Sequence, residues 1–430
     1  MSIARSVTTN TLYQLIGKGV GLIIGLRITQ LLTQLLPMAD FGYYTIFTSL
    51  VIQIAAITEW GTGFIAVRAA SQSKFDRNLL FSNLLLLRLA SLSLALIIIL
   101  LIRYFQFPAL PPQLYTLTLI MLIPLTIKNV CLSIFQAVLK FQYTAIVENV
   151  ANIIYLTILT YLMSSSTLTL QSATLTLTFS TFAALAVALI FATRYVIFQP
   201  TYSPTITKYL LKESLPMGTQ LLMFSLYERF DTYLLQYFKG EVTVAIYGLA
   251  YKLYGIVVLL AAYTMNSLYP IIAQASKQKL TQLYYRAFHL SLILAAAATF
   301  ATIFIAPYLI TFINPDYQAS VLPLQVLSIG ITFTYINHLA GYTYVAIHRQ
   351  TTFMYIAIIA LVFNITTNLI FIPQYGYLGA AATTAATEGL ISLISIIILA
   401  RQQQLKPQIF KFPETLSYFK HQFQQTINRF

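Results

Sequence analysis

Twelve apolar stretches follow one another along the chain, each set off by a short polar break. They cover residues 11–36, 41–68, 79–103, 114–138, 142–163 and 173–197, then 214–238, 242–272, 284–312, 320–347, 352–373 and 377–400. Most reach the ~20 residues a helix needs to cross the hydrocarbon core of a bilayer. Pro37, Pro108, Pro111, Pro112, Pro200, Pro204, Pro315 and Pro373 punctuate the breaks, where a helix cannot easily continue. The pattern predicts an all-α polytopic membrane protein of about twelve transmembrane helices, with no soluble domain between them.

Composition agrees. Of 430 residues, 58% are hydrophobic and 8% are charged, against about 25% charged in soluble domains. Cys131 is the single cysteine, which excludes an intrachain disulfide and argues against a Cys-based metal site. No His/Asp/Glu cluster has metal-ligand spacing, no phosphate loop is present, and no nucleophile stands beside a base. The expectation is a protein that is not an enzyme and holds no metal or cofactor.

The net charge of +14 is a topology signal. Seventeen of the 25 basic residues lie before the first stretch, after the even-numbered stretches or in the tail, whereas the opposite breaks carry only Arg103 and Lys239. Basic loops stay in the cytoplasm, so both termini are expected there, and the charge needs no nucleic acid to explain it. In the tail, Leu416, Phe419, Phe423, Ile427 and Phe430 recur at helical spacing. They predict an amphipathic helix on the inner leaflet or docked on the bundle.

The halves resemble each other. Asp40-Phe41-Gly42-Tyr43-Tyr44 enters the second stretch as Val244-Ala245-Ile246-Tyr247-Gly248 enters the eighth, 203 residues on. Six crossings return the chain to its starting side, so the repeat is parallel, with a pseudo-two-fold axis along the membrane normal and a cavity between the halves. The expected organisation is a six-helix lobe over 1–197, a cytoplasmic linker over 198–213, a second lobe over 214–400 and the tail over 401–430.

Charged groups inside the stretches mark that cavity, because each costs about 2.5–3.5 kcal/mol in hydrocarbon unless it meets water, a partner or a ligand. The basic ones are Lys18, Arg27, Arg88, Lys128, Arg229 and Lys252; the acids are Glu59, Glu148, Glu228, Asp231 and Glu388. Depth along the helices suggests Lys18 with Glu59, and Asp231 with Lys252, leaving Arg229 to meet a ligand. Arg27, Gln30 and Gln34 share one face of the first stretch. Gly17, Gly21 and Gly25 read as a close-packing face, or else as a bend turning Lys18 and Arg27 to one side. Asn364 and Asn368 share a face of the eleventh stretch, as helix ties or as the lining of a polar path.

Several segments together resemble the polysaccharide or O-antigen flippases of the multidrug/oligosaccharidyl-lipid/polysaccharide exporter superfamily. They are Phe41-Gly42-Tyr43-Tyr44 with Glu59-Trp60-Gly61-Thr62-Gly63, Val244 through Leu253, Tyr317 through Leu327, and Asn364 through Ile372-Pro373-Gln374-Tyr375-Gly376 to Ala381. Glu59 departs from the aspartate usual in that family. The resemblance implies a two-lobed twelve-helix bundle moving undecaprenyl-pyrophosphate-linked oligosaccharides between leaflets of a bacterial inner membrane by alternating access. The lipid bilayer, a polysaccharide polymerase and chain-length machinery are the partners it implies. Lys18, Arg27, Lys128, Arg229 and Lys252 are then the candidates for the diphosphate; Gln30, Gln34, Asn364 and Asn368 are candidate polar lining. Glu59, Asp231 and Glu388 are candidates for coupling to H+ or Na+, which the sequence leaves open. Two alternatives stand beside it: a drug/cation antiporter of the same superfamily, and a membrane glycosyltransferase or polymerase.

Overall fold

The computed structural model describes residues 3–273, 277–347 and 349–402. The tail with its spaced apolar residues lies outside the described residues beyond Gln402. The chain forms α1 (Ile3–Leu35), α2 (Met38–Glu59), α3 (Thr62–Ser71), α4 (Arg77–Phe105), α5 (Pro112–Ala137), α6 (Phe141–Ser164) and α7 (Leu170–Ala192). It continues through α8 (Pro204–Lys239), α9 (Glu241–Ala273), α10 (Lys277–Ile313), α11 (Val321–Ala346), α12 (Gln350–Tyr375) and α13 (Tyr377–Gln402). Among the described residues there is no strand, and every α-helix except α3 has at least 22 residues.

Among the described residues, ten helices are long and apolar enough to cross a membrane: α2, α4 to α7 and α9 to α13. The protein is a multi-pass membrane protein. In α4, only 17% of the most apolar window is buried, and Leu94, Leu96, Ile97, Leu100 and Leu101 are exposed. Water would not tolerate an apolar face of that extent, whereas lipid requires one. Helices α1 and α8 are longer than needed, at 33 and 36 residues. Their apolarity is diluted by the charged and amide side chains that concern the site.

Helix ends follow local chemistry. Asp76 caps α4 by accepting from the Leu79 N–H at 2.9 Å, and Thr169 with Ser172 forms a capping box on α7. Pro112 and Pro204 open α5 and α8, where their missing N–H is not needed.

Two features depart from the sequence expectation. The stretch 41–68, read as one span, is broken after Glu59. Trp60 (φ 42°) and Gly61 (φ 68°) are both left-handed, and α3 starts at Thr62. Glycine accepts that backbone freely, but a tryptophan does so at about 1–2 kcal/mol. Packing holds it there: Gly218 of α8 lies against it so closely that an added Cβ would stand 2.5 Å from the Trp60 carbonyl oxygen. Further along, residues 204–213, expected within a linker, are the first turns of α8. The connection left before them is clipped to α4. The N–H groups of Ile197, Gln199 and Ser203 donate to Asn78 Oδ1, Ser82 Oγ and Asn83 Oδ1 at 3.0, 2.8 and 2.7 Å.

The chain separates into two compact units. The first holds residues 1–248 and 311–317, the second 249–310 and 318–430. In the first, Phe81, Leu84, Val130, Ile134, Phe135 and Val147 form the core, and Ala184, Ala188 and Ala192 let α7 approach it. In the second, α11 and α12 each pack along α13. Small residues make this possible: a Cβ on Gly330 would stand 3.3 Å from Ala385 Cα, the close approach typical of membrane helix pairs.

Candidate functional site

In the first unit α1 lies along α6. A Cβ on Gly17 would meet Ala145 Cβ at 2.6 Å, and one on Gly21 would meet Asn149 Oδ1 at 3.3 Å. The glycine face is therefore a packing face, and Asn149 Nδ2 crosses it to the Gly17 carbonyl at 2.9 Å. Gly25 has nothing within 4 Å. This approach carries Lys18 to Glu148, with Nζ 2.6 Å from Oε2 and both side chains partly exposed. The pairing of Lys18 with Glu59 expected from depth is thus corrected. Depth fixes a residue's height in the membrane but not the neighbour it faces, and α1 faces α6. Lys128 on α5 lies within electrostatic reach of both Glu148 and Lys18. Two basic side chains therefore lie near one carboxylate.

Glu59 instead meets Arg88 of α4, Nη2 to Oε1 at 2.9 Å, and Arg88 Nε donates to Thr62 Oγ1 at 3.3 Å. The Arg88 side chain is 1% exposed and that of Glu59 is 32% exposed. The break at Trp60–Gly61 brings both Glu59 and Thr62 to one guanidinium. Arg88 is not among the candidate site residues named from the sequence. Its isolation in an apolar stretch was the available signal.

The polar stripe of α1 has a defined partner. Arg27 is exposed and donates to Gln30 Oε1 at 2.6 Å. Gln30 Nε2 donates to the Phe312 carbonyl at 3.0 Å and Gln34 Nε2 to that of Ile313 at 2.8 Å. Asn314 returns a bond to the Thr33 carbonyl at 2.7 Å. The last carbonyls of a helix have no partner within it, and the two glutamines cap the end of α10.

Around Glu228-Arg229, α8 divides its charges by angle. Asp231 is fully buried; it accepts from the Tyr247 hydroxyl and from the Thr232 N–H at 2.6 Å. Glu228 is exposed and Arg229 half-buried. Nearer the start of α8, Arg68 of α3 donates to Glu213 at 2.6 Å. A hydrogen bond with Tyr209, and then Glu213 itself, holds Arg68 above its ordinary range against burial. Lys74 lies 4.0 Å from the centre of the Tyr209 ring.

In the second unit Lys252 is exposed, and the other named residues enter a mostly neutral network. Asn337 Nδ2 donates to Glu388 Oε2 at 2.6 Å and to its carbonyl at 3.0 Å, while Ser392 donates to Asn337 Oδ1 at 2.7 Å. Asn364 Nδ2 reaches Thr387 Oγ1 at 3.1 Å and Asn368 Nδ2 reaches Asn364 Oδ1 at 2.9 Å. The Thr383 hydroxyl donates to Asn368 Oδ1. Asn337 was missed in the sequence, although an amide in the middle of the apolar stretch 320–347 was the signal that could have found it.

Comparison with known proteins places this geometry. A family profile described as "Polysaccharide biosynthesis protein" matches residues 4–276, and one described as "MatE" matches residues 216–370. No curated protein sequence matches the chain. Among solved structures it is similar to "Lipid II flippase MurJ, inward closed conformation", with TM-score 0.76 and 16% identity over 97% of this chain and 93% of that one. It is similar to an inward-facing multidrug resistance MATE transporter, with TM-score 0.69 and 14% identity over 89% and 94%. A MOP superfamily transporter from Pyrococcus furiosus gives TM-score 0.62 and 16% identity over 92% and 95%. What these transporters and this flippase share with the chain is the fold.

Proposed function

We propose, from the premise that the chain belongs to the polysaccharide biosynthesis protein family, that it is a flippase for undecaprenyl-pyrophosphate-linked oligosaccharides. It moves O-antigen or other surface-polysaccharide repeat units across a bacterial inner membrane by alternating access, with both termini in the cytoplasm. The observation that carries this reading is the placing of two basic side chains, Lys18 and Lys128, beside the single carboxylate of Glu148. A partly exposed group of that kind, in an apolar bundle, suits an anion such as a lipid diphosphate. Arg27, Arg229 and Lys252 extend that chemistry. Asp231 and Glu388 are the carboxylates on which coupling to H+ or Na+ would fall, since Arg88 already neutralises Glu59. Such a step would hand the exported lipid to a polysaccharide polymerase and chain-length machinery.

Deleting the gene tests the reading, with the lipid-linked glycans of the two leaflets then assayed. One diphosphate-linked glycan should accumulate on the cytoplasmic leaflet and clear on complementation. The MatE match over residues 216–370 favours a second reading, a drug/cation antiporter. That reading predicts no glycan accumulation and loss of cationic-dye efflux instead.

A further inference from the structure

Within the first unit, a pocket of about 170 Å³ lies beside the Trp60–Gly61 break, lined by Glu59, Gly63, Phe64, Asn129, Ser133 and Gln136 together with Leu132. A cavity of about 150 Å³ takes up one benzene, so this one has room for a single six-membered ring. Its wall carries hydrogen-bonding capacity that the protein does not use. The side chains of Asn129 and Gln136 make no hydrogen bond among the described residues; the Asn129 carbonyl accepts from Ser133 Oγ at 3.0 Å. Arg88 holds Glu59 by Oε1, which leaves Oε2 to the pocket.

Gly63 keeps this wall thin. A Cβ there would stand 2.6 Å from Arg88 Nη2, 2.8 Å from Ser133 Oγ and 3.2 Å from Glu59 Oε1. The guanidinium thus sits directly behind the glycine and neutralises the carboxylate in front of it. A phosphate in the pocket would meet the Glu59 carboxylate, and a metal ion or amine would meet the Arg88 charge 2.9 Å behind it. Neutral hydroxyls suit all of the groups present. They can donate to Glu59 and to the amide oxygens, and accept from the amide N–H groups. Phe64 and Leu132 offer apolar surface for the ring face.

We infer that this pocket binds one neutral sugar ring of the translocated lipid, apart from the cations that meet the diphosphate. The inference rests on the flippase reading above. The test uses the full chain in lipid nanodiscs and two probes: undecaprenyl diphosphate, and the same lipid carrying one glucose. The wild-type protein should bind the glycosylated probe about three- to tenfold more tightly, the value of about one net hydrogen bond. Gln136→Ala and Asn129→Ala remove amides that tie nothing together, so both variants should fold. Each should lose most of that increment and bind the bare diphosphate as the wild type does. Gly63→Ala, which pushes into the pocket wall, should lose it as well. If the wild type binds both probes equally, or both amide variants keep the increment, the pocket is not a sugar site and the flippase reading stands. If the wild type binds neither probe, the flippase reading falls and the sugar site falls with it.

Discussion

Polar groups within the apolar stretches are held differently in the two units. The first includes ion pairs: buried Arg88 holds Glu59 at 2.9 Å, and the partly exposed Lys18 holds Glu148 at 2.6 Å with Lys128 within electrostatic reach. The second relies on amides and hydroxyls from Asn337, Ser392, Asn364, Asn368, Thr383 and Thr387, with Glu388 as the one acid among them. A neutral ladder fixes helices to one another and exerts little force beyond contact. Charges held in an apolar bundle act over several ångströms because little solvent screens them. On the flippase reading, most of the attraction for a charged ligand comes from the first unit, while the ladder of the second fastens its helices.

The widest gap should appear in transport. Arg229→Ala should abolish glycan export at unchanged expression and membrane insertion, and Arg229→Lys should keep part of it, since charge survives without the fork geometry. Asn368→Ala, taken from the ladder, should export nearly as the wild type does. Normal export by Arg229→Ala would make Arg229 structural and remove it from the ligand's path.

Stability should separate the units next. Glu59→Ala leaves the Arg88 charge buried without its counter-ion, and removal of one member of such a pair costs about 3–5 kcal/mol. Adding Arg88→Met should restore most of it. Thermal unfolding of the purified protein in detergent measures both. In the neutral ladder, Asn368→Ala should cost only about 1 kcal/mol, the scale of an interhelical hydrogen bond in a membrane. Equal losses for Glu59→Ala and Asn368→Ala would dissolve the distinction.

Much of this was legible in the sequence, and the misses share a cause. Runs of apolar residues are a one-dimensional signal, so the ends of α11, α12 and α13 fall within a few residues of the stretches 320–347, 352–373 and 377–400. The break at Trp60–Gly61 was hidden because apolar residues run through it, and it depends on Gly218 arriving from a helix about 160 residues away. Likewise, the partner of Glu59 turned on which way helices face. Lys18 and Arg88 were both available by height, and only packing chose Arg88. Gln30 and Gln34 share a face as expected, but nothing local in sequence announces that the carbonyls of Phe312 and Ile313 end a helix against them.

The smallest expected effects lie within α1 and test the packing that aligns the ionic unit. Gly17 and Gly25 occupy equivalent-looking places in one four-residue series, but their surroundings differ. A methyl group on Gly17 would stand 2.6 Å from Ala145 Cβ. Gly17→Ala must therefore push α1 from α6, as overpacking does at about 1–3 kcal/mol, and should loosen the Lys18–Glu148 pair. At Gly25 nothing lies within 4 Å, and glycine within a helix is about 0.5–1 kcal/mol worse than alanine. Gly25→Ala should therefore leave the protein as stable as before or slightly more so, with transport unchanged. Paired melting curves should show a loss for Gly17→Ala and none for Gly25→Ala. A matching loss in both would mean that α1 is packed along its whole length, and that Gly25 meets a surface in the membrane that leaves it no room for a methyl group.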